Sequence, residues 1–119
     1  MSIKENLNLL QKQINQTAIE SGRSPQEVKL IAVSKTKPIE MIREAFSAGQ
    51  ITFGENYVQE ALDKIKNFDI DQEIEWHLLG HLQKNKVKFC PGNFQWIHSV
   101  ASIELSKKIE YHCELKNKK

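Results

Sequence analysis

Four short apolar runs recur along this chain: Val28–Val33, Ile51–Gly54, Glu75–Gly80 and Phe94–Ser99. Each is followed by a segment of helical periodicity. Strands separated by helices are joined by crossovers rather than hairpins. The pattern therefore commits the chain to an α/β fold with a parallel sheet and right-handed connections.

The intervening segments fill in the pattern. Ile3, Leu7, Leu10, Ile14 and Ala18 share one face of an opening helix, which Gly22 ends. Ser24-Pro25-Gln26-Glu27 predicts a short capped turn, with serine as cap, proline at the first helical position and glutamate reaching back. The unbroken run Leu30-Ile31-Ala32-Val33 predicts burial on both faces of a strand. Helices are predicted over Pro38–Ala48 with Gly49 as cap, Tyr57–Asn67, a short Lys84–Phe89 stopped by Pro91-Gly92, and Ser102–Leu115. The last turns Leu105, Ile109 and His112 or Cys113 inward. Two architectures accommodate this order. One is a small, open doubly wound sheet. The other is half of an eight-stranded (β/α) barrel, a fold that typically takes about 250 residues. No glycine-rich loop follows any of the four runs, which argues against a dinucleotide or P-loop site.

Composition narrows the function classes. Of 119 residues, 39% are hydrophobic and 27% charged, as in globular domains, and the net charge of +2 gives no reason to expect nucleic acid. The basic end Lys116–Lys119 reads as a solvated tail. No apolar run approaches the ~20 residues of a membrane span, so no membrane association is expected. The first residues lack a signal-peptide core, and a cytoplasmic location is the default expectation. Cys90 and Cys113 are too few for a disulfide framework, and no spaced ligand set for zinc accompanies them.

The chemistry-bearing residues gather at the ends of the runs. The first ends in Ser34-Lys35-Thr36-Lys37-Pro38, which sets one amine at the carboxyl end of a parallel strand, where α/β folds collect ligands. A lysine held against apolar walls is desolvated, and its neutral amine can condense with an aldehyde. Lys35 can equally be a solvated loop lysine. Glu55 and Asn56 follow the second run as ligand contacts or as caps of the next helix. His77, with His81 and Gln83, follows in the third, and His77 can equally be a core histidine bonded to backbone. His98 and Ser99 close the fourth. Lys84, Lys86 and Lys88 read as a solvated helix face, and Trp76 and Trp96 as packing residues.

Three stretches carry a resemblance: Ala32–Pro38 (AVSKTKP), Phe53–Glu60 (FGENYVQE) and Trp76–Lys86 (WHLLGHLQKNK). In this order and at these intervals they closely resemble the pyridoxal-phosphate homeostasis proteins, the YggS/PROSC family. That family is similar to the N-terminal barrel of alanine racemases, fold type III among pyridoxal-phosphate proteins. The resemblance implies a partial (β/α)8 barrel over residues 1–119, the N-terminal half of a longer domain. The later loops that commonly hold a phosphate in such barrels fall outside it. The resemblance also implies that Lys35 carries pyridoxal 5'-phosphate as a Schiff base, that Asn56 lines the cofactor ring, and that His77 lies near the same mouth. The implied role is binding, buffering and delivery of the cofactor to pyridoxal-phosphate-dependent apoenzymes, with no catalytic activity of its own. The alternatives are a Schiff-base racemase or lyase using the same lysine, and a remnant without a ligand. A half barrel with open sheet edges is expected to self-associate or to need its complementary half.

Overall fold

The computed structural model describes residues 2–68 and 73–118. Helix α1 (Ile3–Glu20) begins at Ser2, whose Oγ accepts the N–H of Glu5 at 3.1 Å. A 3-10 turn at Pro25–Glu27 follows, closed by the capping box of Ser24 and Glu27. Three strand–helix units succeed it: β1 (Ala32–Val33) with α2 (Ile39–Ser47), β2 (Thr52–Glu55) with α3 (Val58–Lys66), and β3 (Glu75–Leu78) with a 3-10 helix (Lys84–Phe89). Strand β4 (Trp96–Ile97) and helix α4 (Ile103–Leu115) complete the described chain. Gly49 lies at φ +100° just past α2, a left-handed geometry that glycine adopts without a Cβ penalty. The predicted inner face of α4 is borne out in Leu105, which is buried, and Ile109, which packs against the core.

The four strands are all parallel and run in the order β1-β2-β3-β4. A doubly wound sheet reverses direction from its first strand. A sheet that only ever adds the next strand on the same side is the winding of a (β/α) barrel. Burial agrees with this. Phe53, Trp76 and Leu78 face the helices and are buried. Val33 and Trp96, on the opposite face, are 52% and 55% exposed. The chain is thus a partial barrel, helices outside and the concave face open, and the open-sheet alternative is set aside.

Expectations for the first and fourth strands and for α1 are corrected. The first strand was expected over Val28–Val33 but ladders only at Ala32 and Val33, paired with Phe53 and Gly54. It is an edge strand with β2 as its one neighbour among the described residues. Upstream, the Gln50 side-chain amide, not a strand, donates to the Leu30 carbonyl at 2.8 Å. The fourth run likewise ladders only at Trp96–Ile97. Burial of the first run on both faces also fails, because no opposing strands among the described residues cover Val33. Leu10, on the predicted inner face of α1, is 46% exposed and lines an open groove with Val28. Of the basic tail, Lys119 lies outside the described residues. No helix among the described residues is long and apolar enough to cross a membrane.

Candidate functional site

The register sets the residues of the concave face in levels. Val33 pairs with Gly54, Gly54 with His77, and His77 with Trp96. Side chains on one face recur every second residue, so the next level up holds Lys35, Asn56, Leu79 and His98. That level sits about 6.6 Å higher, two residues at ~3.3 Å each. It is the carboxyl end of the sheet, and all four are polar or chemically useful except Leu79.

Lys35 sits in a tight turn. Ser34 N–H still donates to the Gly54 carbonyl at 2.9 Å, and the Ser34 carbonyl accepts the Lys37 N–H at 3.1 Å. Alternation buries Ser34 among the helices and carries Lys35 to the open side. There the lysine is exposed rather than walled by apolar side chains. Among the described residues it makes no ion pair or side-chain hydrogen bond. Thr36 is held at φ 62°, a left-handed conformation that a β-branched residue rarely adopts.

Beneath this turn lies a buried charge cluster. The Lys64 ammonium donates to the Ser34 carbonyl at 2.6 Å, to Glu60 at 2.7 Å, and to both oxygens of Glu55 at 3.0 and 3.1 Å. The Glu55 side chain is fully buried and that of Lys64 is 9% exposed. Ser34 Oγ donates to the Glu55 carboxylate, and the Thr36 N–H donates to Glu60. Lys64 was not among the residues that the sequence singled out. The one sequence signal, its place four residues after Glu60, reads as an ordinary exposed helix pair.

Asn56 is half-buried and its side chain makes no hydrogen bond among the described residues. Neither it nor Glu55 caps α3, whose N-cap is Tyr57 without a side-chain bond, so the capping alternative falls. Asn56 lines a cavity of about 460 Å³ together with His81, Gln83, Lys86, Tyr57 and Gly80. The structure therefore joins Asn56 to His81 and Gln83. Lys35 is not on that wall but stands on the adjacent strand end. Gly80 is wedged against the Asn56 backbone: a Cβ there would lie 2.4 Å from the Asn56 carbonyl oxygen.

His77 is placed one level lower, inside β3, and is 3% exposed. Its partners are side chains, not the backbone. Nε2 lies 2.7 Å from the Glu75 carboxylate and Nδ1 lies 2.8 Å from His98 Nε2. A carboxylate can only accept, so the neutral ring carries its proton on Nε2 and accepts from His98 at Nδ1. Lys29 completes the row with a 3.0 Å ion pair to Glu75, and Trp96 stacks on the ring at 5.8 Å. Cys90 is buried, and burial pushes its thiol up to about 11.

Burial holds the His77 imidazole below its ordinary 6.5, against the opposing pull of Glu75. The unfolded chain then binds more protons below pH 6.5, so folded stability is lost as pH falls from 6.5 through the folded value. The Lys64 hydrogen bond holds Glu60, and the Lys29 hydrogen bond holds Glu75, below the ordinary 4.5. Their contribution is present above 4.5 and is lost as pH falls through their lowered values. Thermal unfolding midpoints should therefore fall in two stages on acidification, and His77→Gln should remove the first. A midpoint that does not fall as pH drops below 6.5, ahead of the carboxylate stage, would contradict this assignment.

No family model matches the chain. Curated relatives do. Over 111 residues it is 41% identical to the pyridoxal phosphate homeostasis protein of Vibrio alginolyticus, covering 91% of this chain and 48% of the relative. Over 112 residues it is 44% identical to the protein of the same name from Escherichia coli K12, covering 90% of this chain and 47% of the relative. Among solved structures, PipY of Synechococcus elongatus with PLP bound superposes with a TM-score of 0.85 at 40% identity, covering 98% of this chain and 50% of PipY. An unknown protein from Bifidobacterium adolescentis gives 0.82 at 29% identity, over 97% of this chain and 51% of the other. The chain spans about half the length of the curated relatives it matches.

Proposed function

We propose, for a chain homologous to the N-terminal half of the pyridoxal phosphate homeostasis family, that it supplies the cofactor-anchoring half of a pyridoxal-phosphate carrier. The observation that carries this reading is the amine of Lys35, two residues past the Val33–Gly54 pair at the carboxyl end of β1, with the amide of Asn56 two residues past Gly54, neither side chain bonded among the described residues. These groups fit the cofactor. An aldehyde needs an amine free of carboxylates, and a heteroaromatic ring edge needs a polar side chain with spare hydrogen-bonding capacity. Bound there, the cofactor would be held through Lys35 and would supply an electrophilic aldehyde carbon to its amine. Asn56, past the end of the neighbouring strand, would offer its amide to the ring edge. His77, one level down inside β3, is held by its bonds to Glu75 and His98. A linkage to the Lys35 amine would be reversible by a competing amine, which would suit buffering and delivery to apoenzymes.

Equilibrium dialysis tests the reading. Lys35→Ala should reduce retention of pyridoxal phosphate at least tenfold, while Lys37→Ala changes it less than twofold, on the rule that ~1.4 kcal/mol is a factor of ten. Equal retention by both variants would remove Lys35 from the site.

We further propose that the chain is a carrier and not a racemase. Racemisation needs an acid and a base on opposite faces of the substrate, each contributing ~10²–10⁴-fold. The buried histidine of the site, His77, has both ring nitrogens engaged. Chiral chromatography of alanine and serine, incubated with the cofactor and the chain, should show no turnover at ordinary enzyme rates of ~1 per second. Turnover at that rate, abolished by Lys35→Ala, would overturn the carrier reading.

A further inference from the structure

The buried cluster under the Lys35 turn does more than neutralise itself. An ammonium has three protons. Lys64 directs them at the Ser34 carbonyl, at Glu55 and at Glu60. Glu60 accepts the Thr36 N–H, and Glu55 accepts the Ser34 hydroxyl. The residues immediately before and after Lys35 are thus both tied to one cation in the helical layer, while the Lys35 side chain makes no ion pair or hydrogen bond among the described residues. Thr36 occupies a strained left-handed conformation at φ 62° in the same turn. Such outliers persist only where surrounding contacts over-determine them. Isolated surface lysines satisfy no such set, and a buried ion pair is by itself a poor way to gain stability.

We propose that Lys64 is a positioning residue for Lys35. It pins the backbone on both sides of Lys35 from the helical layer, so that the amine is presented to the concave mouth in one geometry. This rests on the carrier reading above, because it concerns how the anchoring amine is aimed. It also makes a statement about the turn that holds without any ligand.

The test uses the whole chain and the double variant Glu55→Gln/Lys64→Met, which removes both buried charges and keeps the shapes, beside Lys64→Met alone. Amide exchange is followed at Thr36 and Lys37, with Leu79 and His98 as controls, because their N–H groups bond to Glu55 and Leu78 carbonyls in the sheet at 2.8 and 2.9 Å. The second readout is the ratio of borohydride-trapped pyridoxyl label on Lys35 to that on Lys37. In the double variant, exchange at Thr36 and Lys37 should accelerate about tenfold or more while the controls stay protected. The Lys35-to-Lys37 label ratio should fall by about the same factor. Unchanged exchange at Thr36 and Lys37, or acceleration spread evenly over the sheet with an unchanged label ratio, would overturn the proposal. A wild-type chain that takes no label at Lys35 would sink the carrier reading instead, and the exchange comparison would still decide whether Lys64 holds the turn.

Discussion

Replacing Lys64 with methionine should destabilise the chain by about 3–5 kcal/mol, the cost of stranding one partner of a buried ion pair. Glu55 is fully buried and receives Lys64 on both oxygens. With the ammonium gone, a carboxylate is left in a low-dielectric site with only the Ser34 hydroxyl as donor among its described contacts. The loss is a large part of the ~5–15 kcal/mol that an ordinary domain possesses. Adding Glu55→Gln should return most of it, because a neutral amide carries no charge to desolvate and can still meet the Ser34 hydroxyl. Urea unfolding followed by circular dichroism gives both numbers. A Lys64→Met midpoint equivalent to within ~1 kcal/mol of wild type would mean that water reaches the cluster and that the pair is not effectively buried.

The second large effect is expected at Gly80. A Cβ there would meet the Asn56 carbonyl oxygen at 2.4 Å, the Asn56 Cα at 2.9 Å and its carbonyl carbon at 3.0 Å. All three are backbone atoms, so the strand ends themselves must part. Gly80→Ala should cost about 3 kcal/mol, the upper part of the usual range for overpacking, and should displace Asn56 from the mouth. Gly54 is the comparison. Its nearest contacts are side-chain atoms rather than backbone: Leu79 Cδ1 at 2.5 Å and Cγ at 3.1 Å, and the Ile31 Cγ2 methyl at 3.0 Å. Rotamer adjustment can absorb these, so Gly54→Ala should cost only about 1 kcal/mol. The reverse ranking in denaturant melts would show that the close approach of β2 and β3 above the sheet is not where the glycine is needed.

The alternation of strands and helices is local information, and the chain states it plainly in its apolar runs. The order of the strands is not local. Val33, Gly54, His77 and Trp96 share a level only because β1 to β4 wind in sequence, and no period within any one segment records that. The same gap explains Val33, whose apolar side chain reads as buried yet stands on an open face. Lys35 was legible because a lysine ending an apolar run is conspicuous, and the three motifs around it raised that signal. Lys64 was not. Val58, Ala61, Leu62 and Ile65 already account for the inner face of α3. A Glu60–Lys64 pair at four-residue spacing looks like an ordinary solvent-exposed helix pair. Its burial depends on Ser34 and Glu55, 30 and 9 residues away in sequence. His77 was placed near the mouth, and its engagement with Glu75 and His98 could be read only from the register of β3 and β4.

The central claim is that Lys35 is the anchoring amine. Reduction of the chain with borohydride in the presence of pyridoxal phosphate, followed by peptide mapping, tests it most directly. The account predicts the pyridoxyl group on Lys35, and its loss in Lys35→Ala. Label concentrated on Lys37, Lys116 or Lys118, or label that survives Lys35→Ala undiminished, would contradict it.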